Sequence, residues 1–260
     1  MQIFNKDTTS RIKISVIVPT LNEEKYIGNL LKSLTYQTFK NFEVIVVDGG
    51  SSDRTIQIAE KYGAKVIVKP RLKEFSSRNV GAEIAYGEIL LFTSADVIFY
   101  PTTLEKLYEK INKCKLGGLC GFGRVYDAPL WGVIEYYFYY SIVWLLTRCV
   151  KYFRSSTNFM AVRKKGFFEI GGFQDRIEGD GIFSNLFTQR YKVKFINGKN
   201  YFLVSGRRMR KLGFFGFNIH FLYVIEVILP FLSETRILKY FKDLSFLHRI
   251  KEKFSVKRHK

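Results

Sequence analysis

The chain has 260 residues, 47% of them hydrophobic, which gives ample core for one large α/β domain with extensions or for two small domains, and excludes a disordered chain. Forty-two Lys and Arg against 23 Asp and Glu give a net charge of +19, with thirteen basic residues against four acids from Gly206 to Lys260, so an anionic partner is expected, lipid headgroups or nucleic acid. Cys114, Cys120 and Cys149, with His220, His248 and His259, have no metal-ligand spacing, which excludes a Cys/His metal centre and leaves reduced thiols in a cytosolic setting.

In chain order, Met1 to Asp7 is polar and lacks the apolar core of a signal peptide, so export is not expected. Lys13 to Val18 reads as a β-branched strand, broken by Pro19-Thr20-Leu21-Asn22, with Asn22 as N-cap of a helix running from Glu23 to about Tyr36. Val44 to Val47 has the uninterrupted apolar character of a strand buried on both faces of a parallel sheet, and Asp48 falls at its carboxyl end. Gly49 and Gly50 permit a sharp turn there, and Ser51, Ser52 and Asp53 are each able to cap a helix starting near Arg54. Asp48 is open to two readings, stabiliser of its own turn or acceptor of hydrogen bonds from a nucleobase or ribose, since ligands of open α/β sheets bind outside the strands' carboxyl ends.

A third strand is expected over Ala64 to Val68, a helix over Ser76 to Ala85 and a fourth strand over Glu88 to Phe92, stopping at Thr93-Ser94-Ala95-Asp96. Strands alternating with helices predict a mostly parallel sheet, with Asp96, like Asp48, just past a strand end. Two acids at one rim suit a hard divalent cation held by one or two carboxylates and by substrate phosphates. Arg78, with Asn79, offers a cation for a diphosphate; the alternative is a solvated surface arginine.

After residue 100 the alternation lapses. Leu104 to Ile111 reads as helix and Leu119 to Val125 as a glycine-rich strand. Trp131 to Tyr152 is markedly aromatic, and its apolar part is too short for the about 20 residues a bilayer span needs, leaving a buried or an interfacial helix. Asn158 to Val162 is another strand candidate, followed by a helix, by Gly171-Gly172-Phe173, by Glu178-Gly179-Asp180-Gly181 and by a helix over Ile182 to Arg190. Phe214 to Leu232 is apolar but carries Asn218, His220, Glu226 and Pro230, so spanning and non-spanning readings both stand. From Glu234 to Phe254, apolar residues recur every three or four positions with lysines and arginines between them, the pattern of a basic helix on a membrane surface or of a helix packed on its own domain. The regular apolar stripe is more than a phosphate backbone requires, so nucleic acid is the lesser reading.

The ordered set Pro19-Thr20-Leu21-Asn22-Glu23-Glu24, Val47-Asp48-Gly49-Gly50-Ser51-Ser52-Asp53, Arg78-Asn79-Val80-Gly81, Thr93-Ser94-Ala95-Asp96 and Gly171-Gly172-Phe173 before Asp180 resembles the family 2 glycosyltransferases. The resemblance implies a GT-A fold, Rossmann-like with a mostly parallel sheet and flanking helices, over residues 12–212, and leaves 213–260 as a helical membrane-associated extension. It implies a UDP- or GDP-sugar donor held through Pro19, Thr20, Glu23, Asp48, Arg78 and Asp96. It also implies Mg²⁺ or Mn²⁺ on Asp96 and Asp180 as the base in inverting members; with the basic tail, the expectation is an inverting transfer to a lipid-linked or other glycan acceptor at the cytoplasmic membrane face. Two positions depart from the family's pattern: Ser94 stands where an acid is usual, which puts metal dependence in question, and Gly179-Asp180 replaces a Glu-Asp pair, with Glu178 displaced by one and kept as the reserve base. The Ser94 departure admits a second expectation, a catalytically degenerate nucleotide-binding or membrane-scaffold protein. Arg207-Arg208 resembles an arginine pair near the donor phosphates in some members.

Overall fold

The computed structural model of the protein describes residues 12–149, 157–175 and 179–214. The first half of the chain lays down β1 (Ile14–Thr20), α1 (Ile27–Thr35), β2 (Phe42–Asp48), α2 (Thr55–Lys61), β3 (Lys65–Val68), α3 (Glu74–Glu83) and β4 (Ile89–Thr93). The period of two in these strands sorts their side chains onto two cores. Ile14, Val16 and Val18 of β1, Val44 and Val46 of β2 and Leu91 of β4 face one side, with Leu30, Leu31 and Leu34 of α1. Ile17, Ile45, Val47, Leu90 and Phe92 face the other, covered by Ala82 of α3. One polar pair interrupts the second face: Ser15 lies opposite Glu43 and donates to it at 2.6 Å, and the N–H groups of Tyr86 and Gly87 are bound by the same two side chains. The pair thereby closes the α3 to β4 connection with its buried donors satisfied.

Gly81 sets how closely α3 lies on the sheet. A methyl group there would meet Cγ2 of Ile17 at 2.5 Å, an overlap that side-chain shifts relieve only at about 1–3 kcal/mol. The absent side chain lets the preceding turn of α3 carry Arg78 underneath the end of β4.

The second half adds β5 (Val97–Phe99), α4 (Thr103–Lys113), β6 (Gly118–Phe122), β7 (Arg124–Tyr126), α5 (Leu130–Cys149), β8 (Phe159–Arg163), α6 (Lys164–Glu169), α7 (Gly179–Arg190), β9 (Val193–Asn197) and β10 (Phe202–Ser205). The large sheet has the order β3-β2-β1-β4-β8-β6-β9. Its pairings are parallel except at β8, which runs antiparallel to β4 and β6, so the mostly parallel sheet expected from the sequence is what forms. A small second sheet, β5-β10-β7, was not foreseen. The glycine-rich stretch Leu119 to Val125 is two strands in two sheets, not one. It breaks at Gly123, where a Cβ would meet the Phe202 ring at 2.5 Å.

Two further boundaries differ from the sequence reading. The first helix begins at Ile27 and not at Glu23; residues 24–26 form turns, and the N–H groups of Glu23 and Glu24 bind Thr55 Oγ1 at 2.8 Å and Asp53 Oδ2 at 3.1 Å. The last helix of the first unit, α7, starts at Gly179, so Asp180 lies in its first turn. The chain divides into two units, 1–206 and 207–260. Of the second unit, residues 207–214 are described and helical. The remainder of the Phe214 to Leu232 segment and the Glu234 to Phe254 helix lie outside the described residues, as does Glu178. Among the described residues no helix is long and apolar enough to cross a membrane.

Candidate functional site

The parallel register of β1 and β2 places Thr20 beside Asp48, and the two end at the same rim. Asp48 is fully buried, and its carboxylate accepts four hydrogen bonds. Oδ1 accepts from the N–H groups of Gly50 at 2.9 Å and Ser51 at 2.6 Å, and Oδ2 from the hydroxyls of Thr20 at 2.7 Å and Ser51 at 2.6 Å. Of the two readings of Asp48, the geometry displays the turn-stabilising one: both oxygens organise the loop that bends through Gly50 at φ +96°. Asn22 is not a helix cap. It sits at φ +55°, accepts from the Ser52 N–H at 2.9 Å and donates its own N–H to Ser51 at 2.8 Å, stitching the β1 loop to the β2 loop. Of the three expected caps, Asp53 alone reaches the start of α2, accepting from the N–H and hydroxyl of Thr55. Pro19 is half-buried, and β4 pairs with β1 only as far as Ile17, so the proline sits where the strand is bonded on one side. Glu23 is half-buried beside it in the loop, anchored by its backbone to Thr55.

The β3 to α3 loop completes this rim. Lys69 and Arg71 donate backbone N–H groups to the carbonyls of Asp48 at 2.8 Å and Gly49 at 3.1 Å, leaving the side chains of Lys69, Arg71 and Lys73 exposed. Lys73 pairs with Asp175 at 3.5 Å. These cations were not singled out in the sequence, where they carry no pattern; only the register of β2 and β3 brings them to the rim.

Arg78 is neither solvated nor open to the rim: it is completely buried. Its guanidinium donates to the Thr93 carbonyl at 3.0 Å and to Glu74 at 2.7 Å. Burial draws its pKa down while Glu74 and then Asp180 oppose the shift, which places Asp180 within electrostatic reach of Arg78. Arg78 thus ties α3 to the end of β4. Asn79 next to it faces a different element, bonding both backbone groups of Phe173, so it docks the Gly171-Gly172-Phe173 loop and offers nothing to a phosphate. Asp180 itself accepts from the Gly181 N–H at 2.9 Å, the arrangement of an acid at a helix start.

Beyond β4, the residue standing in the usual acid position is occupied locally: Ser94 donates to Asn158 Oδ1 at 2.8 Å, while Thr93 donates to the Asn158 carbonyl at 2.9 Å. Asp96 is 8% exposed, and its carbonyl accepts from the Ser205 N–H at 3.1 Å. Ser205 lies opposite Tyr126, and its hydroxyl donates to Asp127 at 3.0 Å, which also accepts from the Gly206 N–H at 2.7 Å. Burial first, then the charges of Asp127 and Asp96, push the Tyr126 phenol above its ordinary value. Tyr126, Asp127, Ser205 and Asn158 therefore belong to the surroundings of the Asp96 end; of these the sequence offers only Asn158, as the start of a strand candidate. Among the described residues no cluster of three or more His, Cys, Asp or Glu forms a metal site. Asp96 offers one hard carboxylate, a donor set that fits a divalent cation shared with a diphosphate and not one held by protein alone.

The sequence pattern described as Glycosyl transferase family 2 matches residues 15–174. Poly(ribitol-phosphate) beta-N-acetylglucosaminyltransferase TarS of Staphylococcus aureus is 46% identical over 102 residues, 36% of this chain and 18% of TarS. Cholesterol galactosyltransferase of Borreliella burgdorferi is 31% identical over 126 residues, 46% of this chain and 35% of that protein. The chain thus spans about a fifth to a third of these curated relatives. Among solved structures, S. aureus TarS 1-349 in complex with UDP-GlcNAc superposes with a TM-score of 0.59 at 28% identity, covering 74% of this chain and 58% of that one. Mannosyltransferase PcManGT from Pyrobaculum calidifontis in complex with GDP-Man and Mn²⁺ gives 0.60 at 19% identity over 80% of this chain and 63% of the other, a likeness of fold alone.

Proposed function

The chain belongs to glycosyl transferase family 2 and has its GT-A-like α/β fold, and from that premise we propose that it transfers a sugar, with inversion, from a UDP- or GDP-sugar to a lipid-linked or other glycan acceptor at the cytoplasmic membrane face. The observation that carries the reading is the convergence at one rim of the ends of β1, β2, β3 and β4, with Asp96 just beyond and exposed Lys69 and Arg71 beside them. Pro19, Thr20, Glu23 and the Asp48 turn form the nucleoside side of this rim. Lys69 and Arg71 supply the outward-facing charge for a diphosphate, a role that buried Arg78 serves only through Thr93 and Asp180.

In the transfer, Asp180 accepts the proton of the acceptor hydroxyl as its oxygen forms a bond to the anomeric carbon, and the carbon–oxygen bond to the diphosphate breaks with its electron pair leaving on the nucleotide. One displacement inverts the centre. A divalent cation, when bound by Asp96 and the diphosphate, supplies charge neutralisation on the leaving group. The basic rim residues act on the same developing charge.

The degenerate, non-catalytic reading rests on one observation: Ser94 replaces an acid and is tied to Asn158. Thermal shift with UDP, GDP and their sugars, with and without Mn²⁺, followed by a transfer assay in membrane lipid extract, separates the two. A ligand at a hundred times its Kd stabilises by about 2.7 kcal/mol. Stabilisation with turnover supports the transferase, stabilisation without turnover the degenerate protein, and no stabilisation by any nucleotide overturns both.

A further inference from the structure

From Leu130 to Trp144, helix α5 carries an outward face on which no charged residue is found among the described side chains. Leu130, Ile134 and Phe138, at successive four-residue steps, are 77%, 63% and 62% exposed, and exposed Ser141 and Trp144 continue the same side. Between Leu130 and Cys149 the only ionisable acid or base residues are Glu135 and Arg148. The inward face is fixed: Tyr136 packs on the core with its hydroxyl on the Gly123 carbonyl at 3.2 Å, and Tyr140 stacks on Phe122 with ring centroids 4.9 Å apart. A helix so tethered lies along the surface of its domain. A row of large apolar side chains left in water along one helix marks a contact surface.

We propose that this face of α5 docks on an anionic lipid bilayer, inserting Leu130, Ile134 and Phe138 among the headgroups; this rests on the reading of a membrane-borne acceptor. Charge selects the occupant. Exposed Arg124 precedes the helix, and exposed Lys199 lies over the Tyr137 ring at 4.4 Å from its centroid. Apposing the same face of a second copy brings these cations against their equivalents, whereas an anionic surface meets them with opposite charge. Tyrosines and a tryptophan on the same helix are the residues that settle at a bilayer interface. The helix also starts three residues after Asp127, whose bonds to Ser205 and Gly206 join it to the Asp96 end of the site. A docked α5 therefore holds that rim close to the plane in which a lipid-borne hydroxyl sits.

The test compares the full chain with I134E/F138E, both changes being on exposed side chains. Co-sedimentation is measured with vesicles of phosphatidylglycerol and phosphatidylethanolamine and with phosphatidylcholine alone, alongside UDP binding and sedimentation velocity. The expected result is binding of the wild type to anionic vesicles, at least a tenfold loss in the variant, and unchanged UDP affinity. Equal vesicle binding by both chains overturns the proposal. So does a dimer in the wild type that the variant turns into a monomer without any vesicle effect, because the face would then be covered by a second copy. If the vesicle result holds while no nucleotide sugar is turned over, docking stands and the transferase reading fails.

Discussion

Asn79 grips Phe173 by both backbone groups, donating from Nδ2 to the carbonyl at 2.8 Å and accepting from the N–H at 3.0 Å. The two residues are 94 positions apart, and between them they lock α3 to the loop that leads to Asp180. Gly172 must lack a side chain for the contact, since at φ +69° a Cβ would meet Asn79 Oδ1 at 3.0 Å. Replacing Asn79 with Ala leaves two partly buried backbone groups to find water or go unpaired, at roughly 1–3 kcal/mol. Urea unfolding measures that loss, and the turnover of N79A is expected to fall through kcat while the donor's KM stays close to wild type, because the loosened segment carries the base and not the donor rim.

Asp96→Ala and Asp180→Asn should separate binding from chemistry. The first removes the carboxylate assigned to the diphosphate-bound cation and is expected to weaken nucleotide binding measured with Mn²⁺ present. The second leaves a side chain of the same shape at the start of α7, binds nucleotide as the wild type does and loses transfer by about a hundredfold or more, the usual scale of a missing general base. Near wild-type turnover in D180N would move the base assignment to Glu178.

Ser94→Asp restores an acid where the family commonly has one. Its present partner is Asn158 Oδ1 at 2.8 Å, and an amide turned end for end offers its NH₂ to the new carboxylate, so the fold has a way to accept the change. With two carboxylates near the diphosphate, Mn²⁺ should add more to nucleotide-induced stabilisation in S94D than in the wild type, read as the difference in Tm with and without the metal. An equal metal effect in both chains would show that residue 94 does not face the cation.

Acid sensitivity has an identifiable contributor in Asp53. Burial raises its pKa, but the Thr55 hydroxyl and then the N–H groups of Glu24 and Thr55 more than offset this, so the carboxyl sits below its ordinary 3.8. A group lowered on folding stabilises above its unfolded value and loses that contribution as pH falls through the folded one. Wild-type Tm should therefore drop below about pH 4 more steeply than that of D53N, while D53N is the less stable of the two at pH 7. Parallel Tm curves across that range would remove Asp53 from the account.

How much of this was legible in the sequence depended on what each residue's neighbours in the chain could reveal. The buried strands ending at Thr20, Asp48 and Thr93 announced themselves through unbroken β-branched and aliphatic runs, and their order alone predicted a parallel sheet with acids at one rim. The burial of Arg78 was not legible because nothing local distinguishes a surface arginine from one sealed under a strand; it depends on the close approach at Gly81 and on the Thr93 carbonyl fifteen positions away. Asn22 looked like a cap because helix starts and loop stitches use the same side chains, and only the position of Ser52 decides between them. The small sheet β5-β10-β7 joins three-residue and four-residue strands far apart in sequence, too short to show a period.

Among the described residues, the one antiparallel member of the large sheet gives it a seam. Because β8 runs against its neighbours, its beginning and not its end arrives at the rim, where Asn158 takes the hydroxyls of Thr93 and Ser94. The chain departs from the same vicinity at Asp127, pinned by Ser205 and Gly206. Helix α5 follows the mooring at Asp127, and the described chain resumes just before the one at Asn158. The helix is nonetheless tied to the first half of the chain, because Tyr136 of α5 packs on the same core as Val16, Val44 and Leu91, so a change in that helix is felt under the strands that end at the rim.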